Sequence, residues 1–297
     1  MKRVKVKAYA KINLTLEIVG QEGGYHLLDS LVATVDLYDV ITLSARKDAL
    51  SSITMKGLGS ESIPPERNNA LKGAELFSKT FGVNGVDITV YKNIPIGAGL
   101  GGSSADVAGV LLGMAKLYKI TDSIKIAELA DTLGSDTKYM LRGGFARMQG
   151  RGTDVEKLPL ANELYFLAIC PGEGVSTATC YNEYDKTPVQ GVPMQTENCI
   201  RFLAQRDLEN AGRCLTNHLF VPACRLNSDI EKAYGEALSF SPLGAVMTGS
   251  GSCVLALFET KELCEWAQSR YRGKFRTFIL KTVNPEKQKQ IKNPYLL

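Results

Sequence analysis

Histidine and tryptophan are almost missing from this 297-residue chain: His26 and His218 are its only histidines and Trp266 its only tryptophan. Two distant histidines make no metal-ligand cluster, so a structural zinc is not expected. The seven cysteines, Cys170, Cys180, Cys199, Cys214, Cys224, Cys253 and Cys264, include no C-x-x-C pair. Their odd number fits a reduced compartment, with most of them serving as buried thiols of small apolar character. No apolar run approaches the ~20 residues of a membrane span. Met1-Lys2-Arg3 leads into an alternating strand, not a signal-type apolar core, so a cytoplasmic location is expected. An excess of one charge is missing too. The 35 basic and 31 acidic residues leave a net +4 that is evenly mixed, which gives no basic stripe for nucleic acid and no demand for a membrane surface. The basic stretch from Lys281 to Lys292 reads as a solvated end.

Hydrophobic residues make up 44% of the chain, enough for two cores, and two domains are the expectation, divided at 1–157 and 158–297. Short strands open the first half: Val4 to Val6, an alternating run from Ile12 to Ile18, Leu31 to Val35 and Ile41 to Leu43. Ser51 to Asn68, rich in Ser, Gly and Pro, reads as irregular chain before a helix over 70–81. A strand over 86–91, two helices, a third helix start at Ser135-Asp136 and a strand over 145–148 follow. The second half predicts a strand over 164–170 and helices over 176–185, 195–217 with a break, and 229–239. Strands over 244–247 and 253–258, a helix over 260–271 and a strand over 274–282 complete it. That order suggests a split βαβ sheet with added helices.

Between the 86–91 strand and the helix that begins near Val107 lies Pro95-Ile96-Gly97-Ala98-Gly99-Leu100-Gly101-Gly102-Ser103-Ser104. Glycines at a strand-to-helix junction let backbone amides approach an anion, and a helix N-terminus adds unpaired N–H groups and about half a positive charge. Ser103 or Ser104 could cap that helix and reach a phosphate or its Mg²⁺. Gly97, Gly99 and Gly102 match the dinucleotide spacing, but a second helix stands where that motif needs a strand ending in an acid. A Walker A loop would need lysine at Ser103. A glycine turn with no ligand stays open at this point.

Three separated blocks carry a family resemblance: Lys7 to Leu14, Pro95 to Ala105, and Thr248-Gly249-Ser250-Gly251-Ser252. Together they resemble the GHMP small-molecule kinases, which phosphorylate galactose, homoserine, mevalonate and related alcohols with ATP. The resemblance implies an α+β, two-domain GHMP-kinase-like fold, with an N-terminal ribosomal-protein-like α/β domain and a C-terminal ferredoxin-like split βαβ domain. It implies ATP and Mg²⁺ as cofactors and an alcohol as acceptor. Within the family, Ala10 to Leu14, Gly24-Tyr25-His26, Gly134-Ser135-Asp136 and Gly150-Arg151-Gly152 are similar to members whose acceptor is a cytidine diphosphate-linked polyol.

By the same resemblance Lys11 and Asp136 are catalytic, the lysine near the acceptor hydroxyl and the aspartate orienting it. Pro95, Gly97, Gly99, Leu100, Gly101, Gly102, Ser103 and Ser104 would hold the triphosphate of ATP, with Asn69 and Lys92 at its nucleoside. Asn13, Tyr25, His26, Tyr181, Gly249, Ser250 and Asp136 would hold the acceptor, with the aromatic residues at its cytidine. No nucleic acid or membrane partner is implied, and a monomer or weak homodimer is expected. Two positions depart from the family pattern. Thr137-Lys138-Tyr139-Met140 puts a lysine beside Asp136, which would compete with Lys11 if it pointed inward and change nothing if it pointed outward. The loop is one residue shorter between Leu100 and the serines, with Ala105 placed before Asp106. A different alcohol acceptor, and a weakly active or non-catalytic relative, are the alternatives.

Overall fold

The computed structural model describes residues 2–60, 64, 68–188 and 191–283. Arg67 and the basic tail after Val283 lie outside the described residues. The N-terminal half is built on β1 (Arg3–Asn13), β2 (Thr15–Glu22), β3 (Tyr25–Ala45), β4 (Ser52–Gly57), α1 (Asn69–Phe81) and β5 (Val86–Lys92). It continues through α2 (Gly102–Tyr118), α3 (Ser123–Leu133), α4 (Thr137–Arg142), β6 (Phe145–Gly150) and β7 (Asp154–Lys157).

The long strand β3 organises this sheet. β1 and β2 run antiparallel along one side of it, and β6 and β5 along the other. Two strands were expected where β3 runs unbroken, because Asp36 and Asp39 interrupt the apolar pattern. The Ser51–Asn68 region also differs from its irregular reading: Ser52–Gly57 is a strand, parallel to β5, and buries only alternate residues in part. Helix α2 is buried nearly all round, as a helix between a sheet and three other helices must be. A Cβ at Gly113 would fall 2.3 Å from Leu43 Cδ1, so the glycine lets α2 lie directly on the sheet.

The C-terminal half contains β8 (Tyr165–Cys170), α5 (Thr177–Lys186), α6 (Gln195–Ala204), α7 (Leu208–Arg213), β9 (Thr216–Asn217) and α8 (Phe220–Leu226). Then come α9 (Asp229–Leu238), β10 (Gly244–Met247), β11 (Val254–Phe258), α10 (Lys261–Arg270) and β12 (Arg276–Lys281). Its antiparallel sheet has the order β10-β11-β8-β12, the split βαβ arrangement expected. The helix expected over 195–217 ends at Arg213, and β7, β9 and α8 had no counterpart in the sequence reading.

The halves interlock through β2. Thr15 and Leu16 pair in parallel with Thr216 and Asn217 of β9. The buried Glu17 carboxylate accepts the amides of Gln195 at 3.2 Å and Thr196 at 2.7 Å, satisfying the open N-terminus of α6. Cys170 and Cys253 form a disulfide, which departs from the reduced-thiol expectation. They are 83 residues apart in sequence, and only the pairing of β8 with β11 brings them side by side. Cys180, Cys199, Cys214, Cys224 and Cys264 are free, and all but Cys224 are buried. Among the described residues no helix is long and apolar enough to cross a membrane.

Candidate active site

A cavity of about 790 Å³ opens where the two halves meet, within the range of roughly 300–1,000 Å³ typical of ligand sites. The glycine loop forms one wall. Gly97, Gly99 and Gly101 all take positive φ, and the left-handed Gly101 occupies the N-cap position of α2 without a side-chain cap. The serines therefore do not cap the helix as expected: they lie inside its first turn. Their amides, with that of Gly102, remain the open donors of a helix start, and all three residues line the cavity.

The Thr248–Ser252 turn holds this loop in shape. Cys253 N donates to Ala98 O at 3.2 Å, and a Cβ on Gly99 would fall 2.0 Å from Thr248 O. Gly249 and Ser250 line the cavity beside it, with Ser250 Oγ 3.1 Å from Thr177 Oγ1. The turn is thus packed backbone to backbone against the loop and is more than a link between β10 and β11.

Lys11 and Asp136 meet across the cavity. Lys11 is buried on β1 beside a bulge, its amide donating to Leu100 O at 3.1 Å. Its Nζ lies 2.6 Å from Asn13 Oδ1 and 3.3 Å from Asp136 Oδ2. Asn13 is fixed in turn, its amide donating to Thr248 Oγ1 at 2.9 Å and its Nδ2 to Ser30 Oγ at 2.8 Å. Asp136 sits at the N-cap position of α4, yet its side chain makes no capping bond. Its side chain stays 27% exposed, enough to accept a hydroxyl from the cavity. Lys138 points away, its Nζ 2.9 Å from the exposed Asp131 Oδ2, so Lys11 keeps its carboxylate.

At the opposite end the aromatic residues gather. His26 stacks on Tyr181 with centroids 4.8 Å apart, and its Nε2 donates to Asp185 Oδ1 at 2.7 Å. Tyr25, next to it, is mostly exposed. Burial pushes the Tyr181 phenol up, and the charges of Cys180 and Asp136 act the same way.

The structure places Asn69 and Lys92 in the cavity lining as well. Asn68, not Asn69, caps α1 through its bond to Ala70 N at 2.9 Å, which leaves the Asn69 side chain free of that duty. Lys92 is buried between Asp39 and Asp106, with Asp106 Oδ2 at 2.7 Å. Asp39 also accepts the amides of Asn93 at 2.6 Å and Ile94 at 2.9 Å and so anchors the chain entering the glycine loop. Neither carboxylate was singled out from sequence. Each is a lone acid inside an apolar segment, and that is the signal that could have found them.

Burial disfavours charge on Lys92, but Asp106 and Asp39 outweigh it and raise its pKa. Burial pushes Asp106 up to about 7, against the pull of Lys92 and with the push of Asp39. Between an ordinary carboxylate pKa and about 7 the folded chain holds a proton at Asp106 that the unfolded chain has lost, so stability falls as pH rises through that window. The unfolding free energy of the parent, from urea titrations, is therefore expected to fall as pH rises from 5 to 8. Asp106→Asn should flatten that dependence; an unchanged slope in the variant would refute it.

Comparison with known proteins agrees with this geometry. Residues 68–146 match the GHMP kinases N terminal domain and residues 199–275 the GHMP kinases C terminal region. A 4-diphosphocytidyl-2-C-methyl-D-erythritol kinase of Clostridium tetani is 35% identical over 94% of this chain and 100% of its own length. The kinase of the same name from Syntrophomonas wolfei is 33% identical, over 94% and 98%. A crystal structure of 4-(cytidine 5'-diphospho)-2C-methyl-D-erythritol kinase superposes with a TM-score of 0.77 at 29% identity, covering 94% of this chain and 100% of that one. Homoserine kinase from Cytophaga hutchinsonii shares the fold at a TM-score of 0.72 and 20% identity, over 95% of both chains. By sequence along its length and by the architecture of both halves, the chain belongs to the GHMP kinase family.

Proposed function

We propose that this protein transfers the γ-phosphoryl group of ATP to the 2-hydroxyl of 4-diphosphocytidyl-2-C-methyl-D-erythritol, releasing ADP and the 2-phosphate in non-mevalonate isoprenoid precursor synthesis. One observation carries the reading: the Lys11–Asp136 contact lies in the same cavity as the glycine loop and the Tyr25, His26 and Tyr181 cluster. ATP would supply the phosphoryl group, and Mg²⁺ bound with it would offset the charge of its phosphates. The uncapped start of α2 fits a triphosphate, because its amides need an acceptor. Among the described residues no group of three or more His, Cys, Asp or Glu could hold a metal ion. The hydroxyls of Ser103 and Ser104 at the helix start are the side chains that would offer Mg²⁺ an oxygen, the ion being held mainly by phosphates and water.

Asp136 accepts the acceptor hydroxyl and aims its oxygen at phosphorus; the new O–P bond forms as the bond to the β-phosphate oxygen breaks. The hydroxyl proton leaves late, toward Asp136. Lys11, fixed by Asn13, offers its remaining N–H to the oxygens of the transferred group. His26 and Tyr181 would receive the cytosine by stacking and hydrogen bonding. The site is complete within one chain, which supports a monomer or weak homodimer, and drawing on the ATP pool supports a cytoplasmic location.

Incubation with MgATP and, separately, the cytidine diphosphate-linked polyol, homoserine, mevalonate and galactose should release ADP only with the first. Release with another acceptor instead would reassign the substrate. No release from any would overturn the kinase reading.

A further inference from the structure

The cavity is lined by four cationic or potentially cationic side chains, Lys11, His26, Lys92 and Arg151. Three are already matched to carboxylates: Lys11 to Asp136, His26 to Asp185, and Lys92 to Asp39 and Asp106. Arg151 makes no ion pair among the described residues. Its guanidinium lies over the Tyr25 ring, 4.2 Å from the centroid.

Local structure fixes where this charge stands. Arg151 tips the hairpin between β6 and β7, flanked by Gly150 and Gly152, both of positive φ, and closed by Gly152 N donating to Gln149 O at 3.0 Å. On one side it meets the β2–β3 turn, since a Cβ on Gly23 would lie 3.5 Å from Arg151 Nη2. On the other side a Cβ on Gly152 would lie 3.9 Å from Ser135 Cβ, next to Asp136. The hairpin tip thus spans from the β2–β3 turn to Ser135, with the Arg151 guanidinium at its Tyr25 end and on the cavity wall.

We infer that Arg151 binds the diphosphate bridge of the acceptor and selects acceptors that carry one. This rests on the acceptor proposed above. A nucleoside held at His26 and a hydroxyl held at Asp136 must be joined by a segment that passes between them, and in that acceptor the segment is a diphosphate. The triphosphate of ATP has the helix start of α2 as its own cradle, whereas a second, dianionic group needs a cation that is not already committed. Stacking on Tyr25 uses the face of the guanidinium and leaves its N–H edges free for oxyanions, in the forked geometry that phosphate accepts.

The test uses Arg151→Met, which keeps the length and removes the charge, and Arg151→Lys. Arg151 is exposed, so neither change opens the core. In Arg151→Met the KM for the acceptor should rise about 10- to 100-fold, with kcat and the KM for ATP each within about threefold of the parent. Arg151→Lys should recover part of the loss. With the ATP site filled by a non-hydrolysable analogue, the parent should bind CDP at least about tenfold more tightly than cytidine, and Arg151→Met should erase that ratio. An unchanged acceptor KM, a loss falling on ATP, or a CDP-to-cytidine ratio indifferent to Arg151 would each overturn the inference. If the polyol is not phosphorylated yet the ratio depends on Arg151, the acceptor reading fails and the diphosphate site stands.

Discussion

Replacing Asp136 with asparagine should cut turnover by about 10³-fold or more while the KM for ATP stays within about threefold. Asparagine has the same shape, and the Asp136 side chain caps nothing, so α4 loses no bond. What disappears is the charge facing Lys11 at 3.3 Å, and with it the oxygen proposed to orient the hydroxyl. Both act on the chemical step, and neither touches the helix start that would hold the triphosphate. Single-turnover phosphoryl transfer, with ATP binding measured separately, is the check. Turnover within about tenfold of the parent would remove Asp136 from the chemistry.

Gly99→Ala should be nearly as damaging by a different route. Its φ of +75° already disfavours a side chain, and the new Cβ would lie 2.0 Å from Thr248 O, a backbone atom that cannot rotate away. The loop and the Thr248 turn must separate, which should raise the KM for ATP more than tenfold and cost about 2–4 kcal/mol of stability. Gly82→Ala is the control. Gly82 also has positive φ, at +62°, but nothing lies within 4 Å of its would-be Cβ, so only about 1 kcal/mol should be lost and ATP binding kept. Equal effects of the two changes in thermal melts and ATP titrations would show that the loop–turn contact has no part in nucleotide binding.

Much of the fold could be read where one element faces one neighbour. Helix α1 alternates its burial at helical spacing and β5 at period two, and both were legible to within a residue or two. β3 was not, because it is paired on both sides along its length and its burial follows four different partners, not a single face. β9 has only two residues and no pattern to read. In the site, the glycine loop, Lys11 and Asp136 were legible because local motifs mark them. Asp39 and Asp106 were not, since their meaning depends on Lys92, which reaches them only once β3, β5 and α2 have packed. Arg151 lay inside a noticed signature, but its lack of a partner is a property of the assembled cavity.

The bonds from β1 and β2 to the far end of the chain set an order on synthesis. Lys11 leaves the ribosome well before its supports, for Asn13, which fixes it, is itself held by Thr248, and Glu17 waits for the amides of Gln195 and Thr196. A nascent chain can lay β1 against β3 early, but its glycine loop lacks the turn packed against it until residues 248–253 have been translated. Until those residues are made, the growing polypeptide carries Lys11 without the contacts that fix it.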